Sequence, residues 1–183
     1  PIVEDMREVL SAESLSKHVE NDTAGEVHQQ LLDILETTDL VPPGQRRHFK
    51  AAKVDRAWVE ALHDLLHGDA AQDVRFERWI VQLRRVNADA CTWPLSTFPM
   101  ALNDPEQHPL IRRTVLRRQL TRVRPSLPLP KDPGAPLLRR LEDVYSWMRA
   151  QLTEHGVAPN DNLDIYDFMR LTLRKKALEA IDG

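Results

Sequence analysis

Apolar residues in this chain recur at steps of three and four, segment after segment, and nowhere alternate over a useful length. That periodicity points to helices as its regular element. Ile2, Met6, Val9 and Leu10 share one helical face, and Leu15 and Val19 share another after a break at Ser11. Val27, Leu31, Ile34 and Leu35 make the next stripe. Trp58, Ala61, Leu62, Leu65 and Leu66 follow, then Phe76, Trp79, Ile80 and Leu83. Leu137, Leu141, Val144, Tyr145, Met148 and Leu152 predict a long helix, and Ile165, Phe168, Met169 and Leu173 a last one. The expected fold class is all-α, a compact domain of seven or eight helices without a repeat of fixed period.

Start and stop signals divide these stripes. Thr23 with Glu26, and Asp69 with Gln72, have the spacing of capping boxes, in which each side chain satisfies an orphan amide of the first turn. Asp55 is an N-cap for the Trp58 helix, and Gly68 occupies the position where a left-handed residue closes it. Val41-Pro42-Pro43-Gly44 ends the Leu31 helix, with a weaker helical stretch over 45–53 beyond it. Gly156 ends the long helix, and Asp164 caps the last one.

Residues 87–109 lose the period and contain Pro94, Pro99 and Pro105, yet Trp93, Leu95, Phe98, Met100 and Leu102 are too apolar for a free loop. They are expected to plug a gap between helices. Asp104-Pro105 and Pro109 then predict a helix over 109–124, half apolar through Ile111, Val115, Leu116, Gln119, Leu120 and Val123. Arg113, Arg117 and Arg124 cluster on its opposite side. Pro125, Pro128, Pro130, Pro133 and Pro136 follow as a polyproline-like spacer. The expected organisation is a helical core over 1–124 with acidic N-terminal helices, a proline-rich linker over 125–136, and a C-terminal helical pair over 137–183 packed on the core.

With 183 residues, the chain is long enough to bury a core without staples. The single cysteine, Cys91, forms no internal disulfide, and no apolar run is long enough for a membrane helix, so a soluble cytoplasmic protein with no membrane partner is expected. The net charge is only −3, but it is polarised. Residues 1–39 carry ten acids against two bases, a net of −8, and residues 109–140 carry nine bases against Asp132, a net of +8.

Recognisable catalytic signatures are missing. All six glycines are isolated, which excludes a dinucleotide fingerprint and a P-loop. His63 and His67 have the spacing of a helical metal pair, but a zinc site needs further ligands, and a solvated face is expected for both. Asn160, Asn162 and Asp164 resemble the start of a calcium loop, yet Ile165 holds the glycine position and Leu171 the glutamate position, so helix capping accounts for them. Cys91 reads as an inert buried hydrophobe. No catalytic residue, metal or cofactor is implied.

Thr92-Trp93-Pro94-Leu95-Ser96-Thr97, then Pro105-Glu106-Gln107-His108, then Leu163-Asp164-Ile165 with Phe168 carry a resemblance. They are similar to a family of small, largely uncharacterised bacterial proteins that read Thr-Trp-Pro, Pro-x-x-His and Ile-Asp-Val-Gln-Ser-Phe. The likeness spans residues 49–168 and marks Trp93, Pro94, His108, Asp164 and Phe168 as motif residues. Tyr166-Asp167 replace the family's Gln-Ser, and Arg112-Arg113 its Lys-Pro. The resemblance implies no activity.

The functional expectation is a non-enzymatic helical interaction or oligomerising module that uses opposite-charge surfaces, with a protein partner or a second copy of itself. The basic residues offered for binding are Arg112, Arg113, Arg117, Arg118, Arg122, Arg124, Arg139 and Arg140. One alternative is binding of DNA or RNA phosphate backbone through the arginine-rich helix. Another is an enzyme with a dispersed site near Trp93 and His108.

Overall fold

A helix without a charged residue occupies the centre of the protein. The computed structural model describes residues 2–123 and 127–172. Among them are ten α-helices in place of the expected seven or eight, and no strand. They are α1 (Ile2–Val9), α2 (Ala12–Glu20), α3 (Ala24–Glu36), α4 (Pro43–Lys50), α5 (Arg56–His67), α6 (Gln72–Val86), α7 (Trp93–Asn103), α8 (Arg113–Val123), α9 (Ala135–Glu154) and α10 (Asn162–Thr172), with a 3₁₀ turn at Ala88–Ala90.

The central helix is α7, and residues 93–102 of it are all buried. Its segment shows no amphipathic period because every face meets protein, and a helix that is apolar all round is an interior one. Pro94 sits in the first turn, where a missing N–H costs nothing, while Pro99 inside the helix removes one rung. Ser96 and Thr97 donate their hydroxyls to the carbonyls of Thr92 and Trp93 at 2.7 and 2.8 Å. The sequence-based expectation of an irregular plug is therefore corrected to a regular buried helix.

The other helices lay their apolar stripes around this one. Helix α1 packs on α7 and α3, α5 on α2, α6 and α7, and α9 on α6, while α10 lies across α8 and α9. A run of rings ties several of them together. Phe49 of α4 meets Phe98 of α7 edge-on at 5.8 Å, and Trp58 of α5 lies 5.6 Å from Trp79 of α6. The Trp79 indole N–H donates to Ser96 O at 3.1 Å. No helix of the described residues is long and apolar enough to cross a membrane.

Several local signals resolve differently from the sequence reading. Asp55 caps α5 as expected, accepting the Trp58 N–H at 3.1 Å, and Gly156, at φ +79°, follows the end of α9. Thr23 precedes α3 but makes no capping bond, because its hydroxyl pairs with His18 Nδ1 at 2.7 Å. Asp69 does not cap α6 either; the residue before that helix is Ala71, and Gln72 donates to Glu142 at 2.7 Å. Gly68 adopts an ordinary extended conformation, and crowding is what requires a glycine there, since a Cβ would stand 2.6 Å from the Asp64 carbonyl. Asp161, rather than Asp164, accepts the first-turn amides of α10, from Leu163 and Asp164 at 2.8 and 3.0 Å. Asp164 reaches back to the Asn160 N–H at 2.8 Å.

Candidate functional site

The arginine-rich segment splits into parts that its sequence presents as one. The Asp104-Pro105 signal starts a single turn, in which the His108 N–H meets Asp104 O at 3.0 Å, and residues 109–112 run on without helical structure. Helix α8 begins only at Arg113. Ile111, Leu116 and Leu120 are buried as expected. The Thr97 hydroxyl accepts the Ile111 N–H at 3.0 Å, which anchors the approach to α8 on α7.

Each candidate cation has its own setting. The half-buried Arg113 turns away from the expected outer face and donates through Nε and Nη2 to Leu129 O at 3.1 and 3.0 Å. The Trp93 indole donates to Pro130 O at 3.1 Å, so two side chains hold this part of the proline-rich segment. Arg139 forms an ion pair with Asp73 of α6, far from α8 in sequence. Arg117, Arg118 and Arg140 are exposed, and among the described residues none of their guanidiniums has a hydrogen-bond or ion-pair partner. The Arg122 side chain and the whole of Arg124 lie outside the described residues, as do Leu173 and the cations that follow it.

Arg112 points into a groove between α8 and α10. Its Nη1 donates to the Tyr166 hydroxyl at 3.2 Å and to Asp39 O at 3.3 Å. The groove encloses about 320 Å³ and is lined by Asp39, Arg112, Thr114, Val115, Arg118, Met169 and Arg170. Arg170 pairs with the Asp39 carboxylate through Nη1 and with Asp167 through Nη2 at 3.1 Å. The Nε–H groups of Arg112 and Arg170 are shielded from water and have no acceptor among the described residues. Sequence reasoning missed Arg170, Tyr166 and Asp39 as neighbours, because their proximity comes from packing α10 beside the exit of α3, 131 residues away along the chain.

The acidic pole has a different location. Helices α1, α2 and α3 take α5 and α7 among their main partners. They form an open concavity of about 690 Å³ that includes Glu8, Glu13, Lys17, His18 and Glu26. Lys17 pairs with Glu13 at 2.7 Å, which holds that carboxyl below its ordinary range, and Asp5, Glu8, Glu20 and Asp22 are exposed.

The His63 and His67 rings lie 5.4 Å apart, tilted by 58°, but do not form a solvated face. His67 Nε2 donates to Leu10 O at 2.7 Å, and His63 Nε2 lies 3.3 Å from Ser16 Oγ, so both are half-buried against the first two helices. Apolar periodicity misplaced them because polar side chains also serve helix packing. Among the described residues no group of three or more His, Cys, Asp or Glu has the geometry to hold a metal ion. The Cys91 thiol is buried and its pKa is pushed up by that burial.

None of the motif residues lines the basic groove. Trp93 and Pro94 are interior, and the partly buried His108 Nδ1 lies 3.4 Å from Glu142. The backbone N–H of Asn162 donates to Pro105 O at 2.9 Å, joining the turn before His108 to the start of α10, where Asp164 is exposed and Phe168 packs against the core. Comparison of the chain with protein-family models, curated proteins and solved structures found no match.

Proposed function

We propose that the protein works by association, docking the exposed arginines of α8 on an acidic surface, with the α1–α3 concavity of a second copy as the reference partner. What supports this reading is that Arg117 and Arg118 stand free and exposed, while the acidic concavity is built on helices carried by α5 and α7. Two unlike patches on one molecule make a head-to-tail contact, which closes into rings or grows into filaments. Exposed charges interact over about 10 Å at 0.1 M salt, so the contact weakens steeply as ionic strength rises. Light scattering is expected to give a mass above that of one chain at low salt and the single-chain mass at high salt. Arg117→Glu is expected to shift the low-salt mass toward a single chain. A single-chain mass at every salt concentration overturns the self-association reading.

A second reading is contact with nucleic-acid phosphates, supported by the same pair of free guanidiniums on one helix. Each phosphate contact adds roughly one unit to the slope of log affinity against log salt. Duplex binding whose salt slope is unchanged by Arg117→Ala removes it.

The Thr-Trp-Pro and Pro-x-x-His motifs, with Leu163-Asp164-Ile165 and Phe168 in place of the family's Ile-Asp-Val-Gln-Ser-Phe, also support kinship with the small bacterial family. Asn162, the residue before Leu163, donates its N–H to Pro105 O, which sets the last two motifs side by side.

A further inference from the structure

We propose that the groove between α8 and α10 is a binding site for a small phosphate-bearing molecule. Three arginines line it from separate places: Arg112 just before α8, Arg118 from α8 and Arg170 from α10. Asp39 is the one carboxylate in the lining, which leaves the lining at +2. Asp167, outside the lining, places a second carboxylate on the Arg170 guanidinium.

Two features separate this groove from an ordinary charged surface. Arg112 spends its Nη1 donor on neutral partners, the Tyr166 hydroxyl and the Asp39 carbonyl, so this half-buried cation has no counter-ion among the described residues. The Nε–H groups of Arg112 and Arg170 are also closed to water and unpaired among the described residues. A half-buried cation without an anion is held less favourably than a paired one, and an added negative charge nearby stabilises it.

The dimensions and remaining lining narrow the class. About 320 Å³ is at the small end of ligand pockets and suits a compact molecule. A phosphate monoester carries about −1.5 to −2 at neutral pH and three acceptor oxygens, which guanidiniums engage with paired N–H groups. A simple carboxylate brings only one charge. Thr114 supplies a hydroxyl, while Val115 and Met169 give an apolar wall for an organic portion. Asp39 occupies Arg170 in the free protein, and a bound phosphate competes with it for that guanidinium.

The test is calorimetric titration of the whole chain with inorganic phosphate, phenyl phosphate and acetate, each to about 10 mM, a range that captures millimolar affinities. Saturable binding of either phosphate probe, tighter than acetate, is expected. Preference for phenyl phosphate identifies an ester as the natural ligand, and preference for inorganic phosphate identifies the free ion. Arg118→Gln and Arg170→Gln are each expected to weaken binding by about tenfold or more, as charge-assisted hydrogen bonds do when removed. Asp39→Asn, which deletes an exposed competing carboxylate, is expected to tighten binding severalfold, an effect that loss of folding does not imitate. No saturation with either phosphate, acetate binding as tightly, or affinity indifferent to Asp39→Asn and Arg118→Gln overturns the site. Arg117→Glu is expected to disturb association and leave phosphate affinity within about twofold, because Arg117 does not line the groove. The two proposals therefore fail separately.

Discussion

Helices α7 and α8 are each eleven residues long and lie close in sequence, yet they answer to different physics. Helix α7 has no charge and meets protein on every side. Helix α8 carries four arginines and buries one stripe. Burial on all sides removes a helix's freedom to vary, because each side chain fills space that neighbours have shaped. Burial on one side leaves the outer residues free for other work. The interior of the fold and its candidate surface are thus separated by a single connection, residues 104–112, and the Thr97–Ile111 hydrogen bond fastens the second helix to the first.

The comparison breaks most visibly with one substitution in each helix. Phe98→Ala empties a fully buried site packed against Phe49 and is expected to cost about 3–5 kcal/mol in urea unfolding. Arg117→Ala, on the exposed side of α8, is expected to stay within about 0.5 kcal/mol. Equal costs would mean that α8 is embedded as deeply as α7. The connection between them is sharpened by Thr97→Val, which keeps the shape but leaves the buried Ile111 N–H without its acceptor. That change is expected to cost about 1–3 kcal/mol, and a cost near zero would show that the anchor is dispensable.

The smallest effect is a pH dependence in the buried half. Burial holds the His28 imidazole below its ordinary pKa, with Nε2 against Phe49 O at 2.9 Å as a partial counterweight. The neutral ring therefore belongs to the fold, and the unfolded chain takes up its proton first as pH falls. Stability is expected to be fully present above about pH 6.5 and to decline progressively below it. His28→Gln, which keeps a donor for Phe49 O, is expected to shrink that decline relative to the native chain. An unchanged slope would assign it to other histidines.

Much of the fold was legible because amphipathic helices announce themselves. The stripes of α3, α5, α6 and α9 are buried as their spacing predicts, except that Ile34, Leu66 and Leu152 only pack against the core's edge, and Asp55 and Gly156 act where expected. The illegible parts share one cause, which is that local signals were outbid by distant partners. Thr23 gave its hydroxyl to His18, and Gln72 its amide to Glu142. His63 and His67 turned toward the first two helices, and Arg113 toward Leu129. The α7 helix hid for the opposite reason, since a segment apolar on every face has no period to detect, and its prolines read as breaks.

The candidate site was legible only as a concentration of arginine. Its charge was visible, but its division was not: Arg112 and Arg118 join Arg170 around a groove, Arg139 is taken by Asp73, and Arg117 stays open outside it.

By itself, the order of residues determined an all-helical chain, the inward faces of most helices, and two segments of opposite charge, because each of these depends on neighbours within a few turns. Tertiary structure alone decided that the proline-bearing α7 is the centre, which arginines are free, and that Asp39 and Arg170 meet across 131 positions. Those outcomes follow from how finished helices pack, a competition among surfaces that no short stretch of sequence contains.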